Sequence, residues 1–195
     1  MKFIFVRHGH TIYNKLGLTQ GWCDSPLTRL GKSQVKALKE KISDIPIDYV
    51  YSSPSKRAIK TASLLCDKEI VIDKRLMEIN FGTFEQLPVK LRLAFHIESK
   101  HWTDDFDMNY EICEGENLKE VIQRQKEFLF DIISKHDNKD TILIVGHGCS
   151  LYGLIKSLLS EQIINSYPEF KFLSNAAAVI VEENNNYLNI IDIIN

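Results

Sequence analysis

At 195 residues with 44% apolar side chains, the chain is long enough to bury a substantial core in one domain. Its formal net charge of -2 and its scattered basic residues argue against a nucleic-acid or membrane-surface protein, so an anionic ligand has to be met by a few focused cations. No stretch approaches a membrane span, and Cys23, Cys66, Cys113 and Cys149 are far apart with no CxxC or Cys/His zinc spacing, which reads as reduced thiols in a cytoplasmic protein.

The run Lys2 to Val6 is too short for a signal-peptide core and is followed at once by Arg7 and His8, so it reads as a first strand. From Thr28 onward, Leu30, Val35, Leu38 and Ile42 recur at helical spacing. Tyr49 to Ser52 reads as a second strand, with Ser53 as the N-cap and Pro54 in the first turn of the helix behind it. Between Glu85 and Glu116, Phe95, Trp102, Phe106 and Tyr110 stand among polar residues without a clean period, which suits an insertion folding over a site. Asn117 with Glu120 resembles a capping box, and Leu118, Val121, Ile122, Phe128, Leu129, Ile132 and Ile133 then form one apolar stripe. Thr141 to Val145 reads as a third strand and Ala176 to Glu182 as a fourth. That last strand joins Tyr187 to Ile194 in an edge hairpin through the polar turn at Asn184, Asn185 and Asn186.

This alternation predicts an α/β fold: a three-layer sandwich with a mostly parallel central sheet flanked by helices. One domain over residues 1–195 is expected, with the cap insertion at about 85–116. In such sheets ligands bind at the carboxyl ends of the strands. Two of the predicted strands end in histidine followed by glycine, at FIFVRHGHT and at TILIVGHG, and His8 and His147 face each other if those strands are neighbours. Arg57 falls in the first turn of the helix after the second strand, where a helix N-terminus already favours anions, and Arg7 is the second such cation. Two arginines, two histidines and a helix end converging on one spot describe a phosphate site.

With these residues placed, the chain resembles the histidine phosphatase superfamily, the phosphoglycerate mutase-like family. Its signature stands as Arg7, His8, Gly9, His10 and Thr11 with Asn14. Gly21, Trp22 and Asp24 follow in the family's order, then Leu27, Thr28 and Gly31, then Ser53, Pro54, Arg57, Ala58, Thr61 and Ala62. Glu78 with Phe81, Gly82 and Glu85 comes next, then Glu114, Gly115 and Glu116, and last Gly146, His147 and Gly148. The resemblance implies that His8 is the nucleophile of a phosphohistidine intermediate, that Arg7, Arg57 and His147 grip the phosphoryl oxygens, and that Glu78 is the proton donor. It places Asn14, Gln20, Gly21 and Gly148 beside Arg7 and Arg57 as substrate-binding residues. It calls for no cofactor and no metal, because the cations are built in. The implied partner is a small phosphorylated metabolite, among sugar phosphates, fructose bisphosphates, phosphoglycerates, a cobalamin-precursor phosphate and phosphoserine. A homodimer is compatible with the chain, which carries no readable oligomeric signal.

His10 stands where the family more often has Glu or Gln and reads as a neighbour that tunes the site. Glu78 has the weakest support from the residues alone, and Glu85 or Glu116 compete for its role. Trp22 reads as a substrate wall, with a loop anchor as the alternative. Asp105, Asp107, Asn109, Glu111 and Glu116 mimic a calcium loop, yet its obligatory glycine position is Tyr110. Among rival functions, a phosphoglycerate mutase of this family tends to carry Arg-His-Tyr after the catalytic glutamate, whereas Ile79, Asn80, Phe81 and Gly82 follow Glu78 and favour the phosphatase branch. A metallohydrolase built on His8 and His10 would put Arg7 against its cation, and its barrel usually needs more than about 200 residues. A phosphate-binding module without activity is the remaining alternative, though no core residue of the signature is lost.

Overall fold

The computed structural model describes residues 1–98, 108–159, 166, 173–184 and 187–195; Trp102, Asp105, Phe106, Asp107, Asn185 and Asn186 lie outside them. The strands are β1 (Lys2–Arg7), β2 (Tyr49–Ser52), β3 (Ile70–Ile72), β4 (Thr141–Gly146), β5 (Ala178–Asn184) and β6 (Tyr187–Ile194). They form one sheet in the order β3-β2-β4-β1-β5-β6. The first four pair in parallel, and β5 runs antiparallel to both β1 and β6. The helices are α1 (Ile12–Leu16), α2 (Arg29–Lys41), α3 (Lys56–Leu65), α4 (Val89–Glu98), α5 (Leu118–Lys135) and α6 (Gly148–Leu158). None is long and apolar enough to cross a membrane, among the described residues.

The three layers follow from the alternation of side chains along the central strands. Phe3, Phe5, Ile142 and Ile144 enter one core with Phe128, Leu129 and Ile132 of α5 and Leu151 and Leu154 of α6. Ile4, Val6, Leu143 and Val145 point the other way, into a core with Val35 and Leu38 of α2 and Ala58, Ala62 and Leu65 of α3. Each such side chain contributes about 1.5–3 kcal/mol of burial, and a one-residue slip of either strand would send every one of them to the wrong core. A third cluster, including Ile79, Phe81, Tyr110, Leu118 and Val121, packs where the cap segment meets α5.

Four local expectations are corrected. The N-cap of α3 is Ser55 rather than Ser53, and it makes no side-chain capping bond; the Ser53 hydroxyl is engaged by His147 instead, at 2.8 Å. Leu30 is 56% exposed, because it stands five residues before Val35 and hence about 140° away around the helix. Gly31 takes its place on the buried stripe, and a Cβ there would come within 2.1 Å of the His10 carbonyl oxygen. The fourth strand begins at Ala178, since Ala176 turns at φ 61 to donate its N–H to the Arg7 carbonyl at 3.1 Å. Finally, α1, β3, α4 and α6 are elements that the apolar pattern did not disclose. α1 spans five residues and β3 three, too few for periodicity to register.

Candidate active site

Because β4 lies between β2 and β1, the strands carrying the two histidines are neighbours, with Arg7 opposite Gly146 and the His8 N–H donating to the Gly146 carbonyl at 3.0 Å. The imidazoles meet edge to face, 5.3 Å between centroids at 62°. Nδ1 of His8 lies 2.9 Å from the Gly9 carbonyl oxygen. A carbonyl only accepts, so Nδ1 carries the hydrogen and Nε2 of the neutral ring keeps the lone pair. Burial first, then the charges of Arg57 and Arg7, push the His8 pKa well below 6.5, so the ring is neutral at ordinary pH.

His147 has the opposite tautomer. Its Nδ1 accepts from Arg57 Nη2 at 3.0 Å, which leaves Nε2 as the donor toward Ser53 Oγ at 2.8 Å, with Ser55 Oγ at 3.3 Å. Burial, Arg57 and His8 lower its pKa in the same sense. Arg57 also donates to the carbonyls of Cys23 at 2.8 Å and Gly21 at 2.7 Å and to Asp24 Oδ1 at 3.0 Å, while its buried Nε has no partner. Arg57 and His147 therefore form the backing of the site and do not line its cavity. Arg7 does line it. Its Nη1 donates to the Leu173 carbonyl at 2.6 Å, its buried Nε has no partner, and its guanidinium lies so close to Gly148 that a Cβ there would stand 3.2 Å from Cζ.

Glu78 is buried at the start of α6. Oε1 accepts from the backbone N–H of Ile79 at 2.9 Å and of Ser150 at 2.8 Å, and Oε2 accepts from Cys149 N–H at 2.9 Å. Its own carbonyl is held by Trp22 Nε1 and by Arg124 Nη2, each at 3.1 Å. Arg124 Nη1 donates further to the carbonyls of Arg75 at 2.6 Å and Met77 at 2.8 Å. The two competing carboxylates are otherwise engaged. Glu85 accepts from the backbone N–H groups of Gly21, Trp22, Cys23 and Phe81, and Glu116 bonds to Asn80 N–H and to Arg124. Trp22 is thus an anchor for Glu78 and not a wall.

The cavity in front of His8 measures about 530 Å³, and Arg7, His8, Asn14, Gln20, Glu78 and Gly148 all line it. Asn14 uses Oδ1 to accept from Thr11 and from Asn175 Nδ2; Gln20 accepts from Thr11 Oγ1 at 2.7 Å and donates to Ser25 Oγ at 3.1 Å. Gly21 is displaced from its expected place, since its N–H is bonded to Glu85 and its carbonyl to Arg57, and it reaches the site through that arginine. His10 turns away, its Nδ1 lying 3.0 Å from Thr28 Oγ1. The two imidazoles of the opening motif therefore engage different elements. Cys149 also lines the cavity, its thiol pKa pushed up to about 11 by burial and by Glu78. Sequence reasoning missed Arg92, Arg124 and the clamp made by Glu85; a lone arginine in the apolar run VKLRLAF was the one local signal for the first.

The chain matches the model of the histidine phosphatase superfamily (branch 1) over residues 3–194. It is 32% identical over 165 residues to a probable phosphoglycerate mutase GpmB of Erwinia tasmaniensis, covering 82% of this chain and 75% of that one. It is 30% identical over 167 residues to phosphoserine phosphatase 1 of Hydrogenobacter thermophilus, covering 84% of this chain and 78% of that one. Its fold superposes on the phosphoserine phosphatase of Entamoeba histolytica, solved in complex with 3-phosphoglyceric acid, with a TM-score of 0.78 at 26% identity, over 100% of this chain and 96% of that one.

Proposed function

The chain belongs to the histidine phosphatase superfamily, a family of phosphoryl-transfer enzymes, and from that premise we propose that it is a phosphoric monoester hydrolase acting on small phosphorylated metabolites through a phosphohistidine on His8. One observation carries the reading: the Gly9 carbonyl holds the hydrogen of His8 on Nδ1, which frees Nε2 beside a cavity that also presents Arg7 and Glu78. The Nε2 lone pair attacks phosphorus as the bond to the ester oxygen breaks, and Glu78 gives that oxygen its proton. The ionised Glu78 then takes a proton from water as the water oxygen attacks phosphorus, breaking the P–N bond and restoring His8. Oε2 accepts a single backbone bond and is the oxygen with room for the proton. Arg7 supplies charge to the phosphoryl oxygens directly, and Arg57 stiffens His147 behind them. The positive charge comes from side chains, so the reaction proceeds without a metal, and activity should survive a chelator.

Trapping with an aryl phosphate should give an adduct on His8 that is labile to acid, and an acid-stable adduct would point to a phosphoester and overturn the assignment. The relatives carry both phosphatase and mutase names, so the second reading is a mutase that returns the phosphoryl group to another hydroxyl. Incubation with 3-phosphoglycerate and catalytic 2,3-bisphosphoglycerate separates them. Release of inorganic phosphate without interconversion is expected, and rapid interconversion would replace the hydrolase by the mutase.

A further inference from the structure

The turn that leads into β5 reaches back to the end of β1. The Ser174 carbonyl accepts from the Ala177 N–H at 3.0 Å, which closes the turn, and Ser174 lines the catalytic cavity. Ala176 holds φ 61 within it, a left-handed conformation that a residue with a Cβ adopts only at a cost. The strain aims a donor. The Ala176 N–H lies 3.1 Å from the Arg7 carbonyl oxygen and 3.2 Å from that of His8. Asn175 is carried to the same place, where its Nδ2 donates to the His8 carbonyl at 3.2 Å and to Asn14 Oδ1 at 3.1 Å.

The backbone decides which amide atom is which. The Thr11 N–H points at the Asn14 side chain at 3.1 Å, and an N–H is met by an oxygen, so the atom there is Oδ1. The Asn175 atom that faces both this oxygen and the His8 carbonyl faces two acceptors, so it is the nitrogen, and both of its hydrogens are used. Asn14 Nδ2 is then left without a partner among the described residues, on a side chain that lines the cavity together with Arg7 and His8. Turned the other way, the amide would set its NH2 against the Thr11 N–H and Asn175 Nδ2 and would present an oxygen to an anion.

We propose that Asn175, anchored on the His8 carbonyl, is a positioning residue that holds the Asn14 amide so that Nδ2 donates to the transferring phosphoryl group. This rests on the phosphoryl-transfer reading of the site, and it assigns a task to a residue outside the motifs that carried the resemblance. Thr11 caps the same short helix that contains Asn14 and moves with it. Asn175 stands just before β5, which pairs with β1, and therefore refers the amide to the sheet that carries the nucleophile. One nitrogen bonds both the nucleophile's own carbonyl and the phosphate donor's oxygen, which keeps the two in a fixed relation.

The test is a mutant cycle on the whole protein, with Asn175→Asp and Asn175→Ala made both with Asn14 in place and in an Asn14→Ala background, read by hydrolysis of p-nitrophenyl phosphate. With Asn14 in place, Asn175→Asp should lower kcat/KM about 10- to 100-fold, because it keeps the shape but sets acceptors against acceptors, and Asn175→Ala about 3- to 10-fold. Without the Asn14 side chain both losses should shrink to less than about threefold, since the group being positioned is gone. A residue that only fills space would tolerate aspartate better than alanine. That reversed order, or losses of equal size in the two backgrounds, would overturn the proposal and leave Asn175 a turn residue; if the aspartate variant does not fold, the alanine cycle decides alone. If the wild-type protein hydrolyses no ester, the hydrolase reading fails. Calorimetric binding of inorganic phosphate then decides the inference by itself: affinity weakened by either Asn175 variant only while Asn14 is present supports it, and unchanged affinity, equal weakening in both backgrounds or no binding by the wild type refutes it.

Discussion

At the backing of the cavity, both nitrogens of His147 are bonded and Arg57 makes four hydrogen bonds, whereas on the cap side Arg92 lies over the Phe81 ring, with Tyr110 Oη 3.5 Å from Nη1, a side-chain bond to Cys149 and a buried Nε without a hydrogen-bond partner. The difference teaches where each task is done. In the proposed reaction, the groups behind the developing charge at phosphorus are fixed beforehand, so they need no reorganisation.

On the proposed reaction, changes at the catalytic end should damage every ester, and changes in the groups that only support it should cost less. The largest effect is expected from His8→Ala, a fall of roughly 10⁴- to 10⁶-fold in kcat on alkyl and aryl phosphates alike, as when a nucleophile is removed elsewhere; substantial residual turnover on either class would break the contrast at once. Glu78→Gln comes next. Steady-state rates should drop about 10²- to 10⁴-fold on glycerol 3-phosphate and far less on p-nitrophenyl phosphate, whose leaving group needs little protonation. Equal losses would take the acid role away from Glu78.

Arg124→Met probes the support beneath Glu78 rather than the chemistry. It strips donors from the carbonyls of Arg75, Met77 and Glu78 and from the carboxylate of Glu116, at a cost of about 2–4 kcal/mol in urea unfolding. kcat should fall more than KM rises, because the carboxyl group loses its position while the phosphate site stays intact. A variant of unchanged stability would show that the rigidity of the site comes from elsewhere.

The smallest effect concerns pH. The folded protein holds His8 and His147 neutral, while the unfolded chain protonates such rings near 6.5. The unfolded state therefore binds more protons below that value, so stability is fully present above about pH 6.5 and lost progressively as pH falls beneath it. Thermal unfolding followed from about pH 8 down to about pH 5 should show this slope, and His147→Gln should flatten it. An unchanged slope would mean that His147 is not the ring held neutral.

Much of the fold is legible in the chain because β1 and β4 are buried on both faces, and burial on both faces demands the unbroken apolar runs that stand at Phe3 to Val6 and Ile142 to Val145. The Asn117 cap of α5 is equally local, since Asn117 and Glu120 bond each other's backbone within one turn. His8, Arg7 and Glu78 were legible through an ordered set of short motifs. The cap was not. Its helix α4 presents Leu91 and Leu93 to solvent and turns Arg92 inward, a pattern opposite to the one that hydropathy leads a reader to expect.

The amino-acid sequence by itself determined the parallel core and the chemistry at its strand ends, because strand burial, turn glycines and capping act within a few residues. Only the tertiary structure decided that Arg57 and His147 stand behind the cavity, that Glu85 and Glu116 are clamps, and that Arg92 and His8 line one cavity. Those assignments depend on contacts such as that of Arg57 with His147 or of Glu85 with Gly21, which join residues 90 and 64 positions apart. No local pattern encodes such a contact, since what fixes it is the packing of whole helices against a finished sheet.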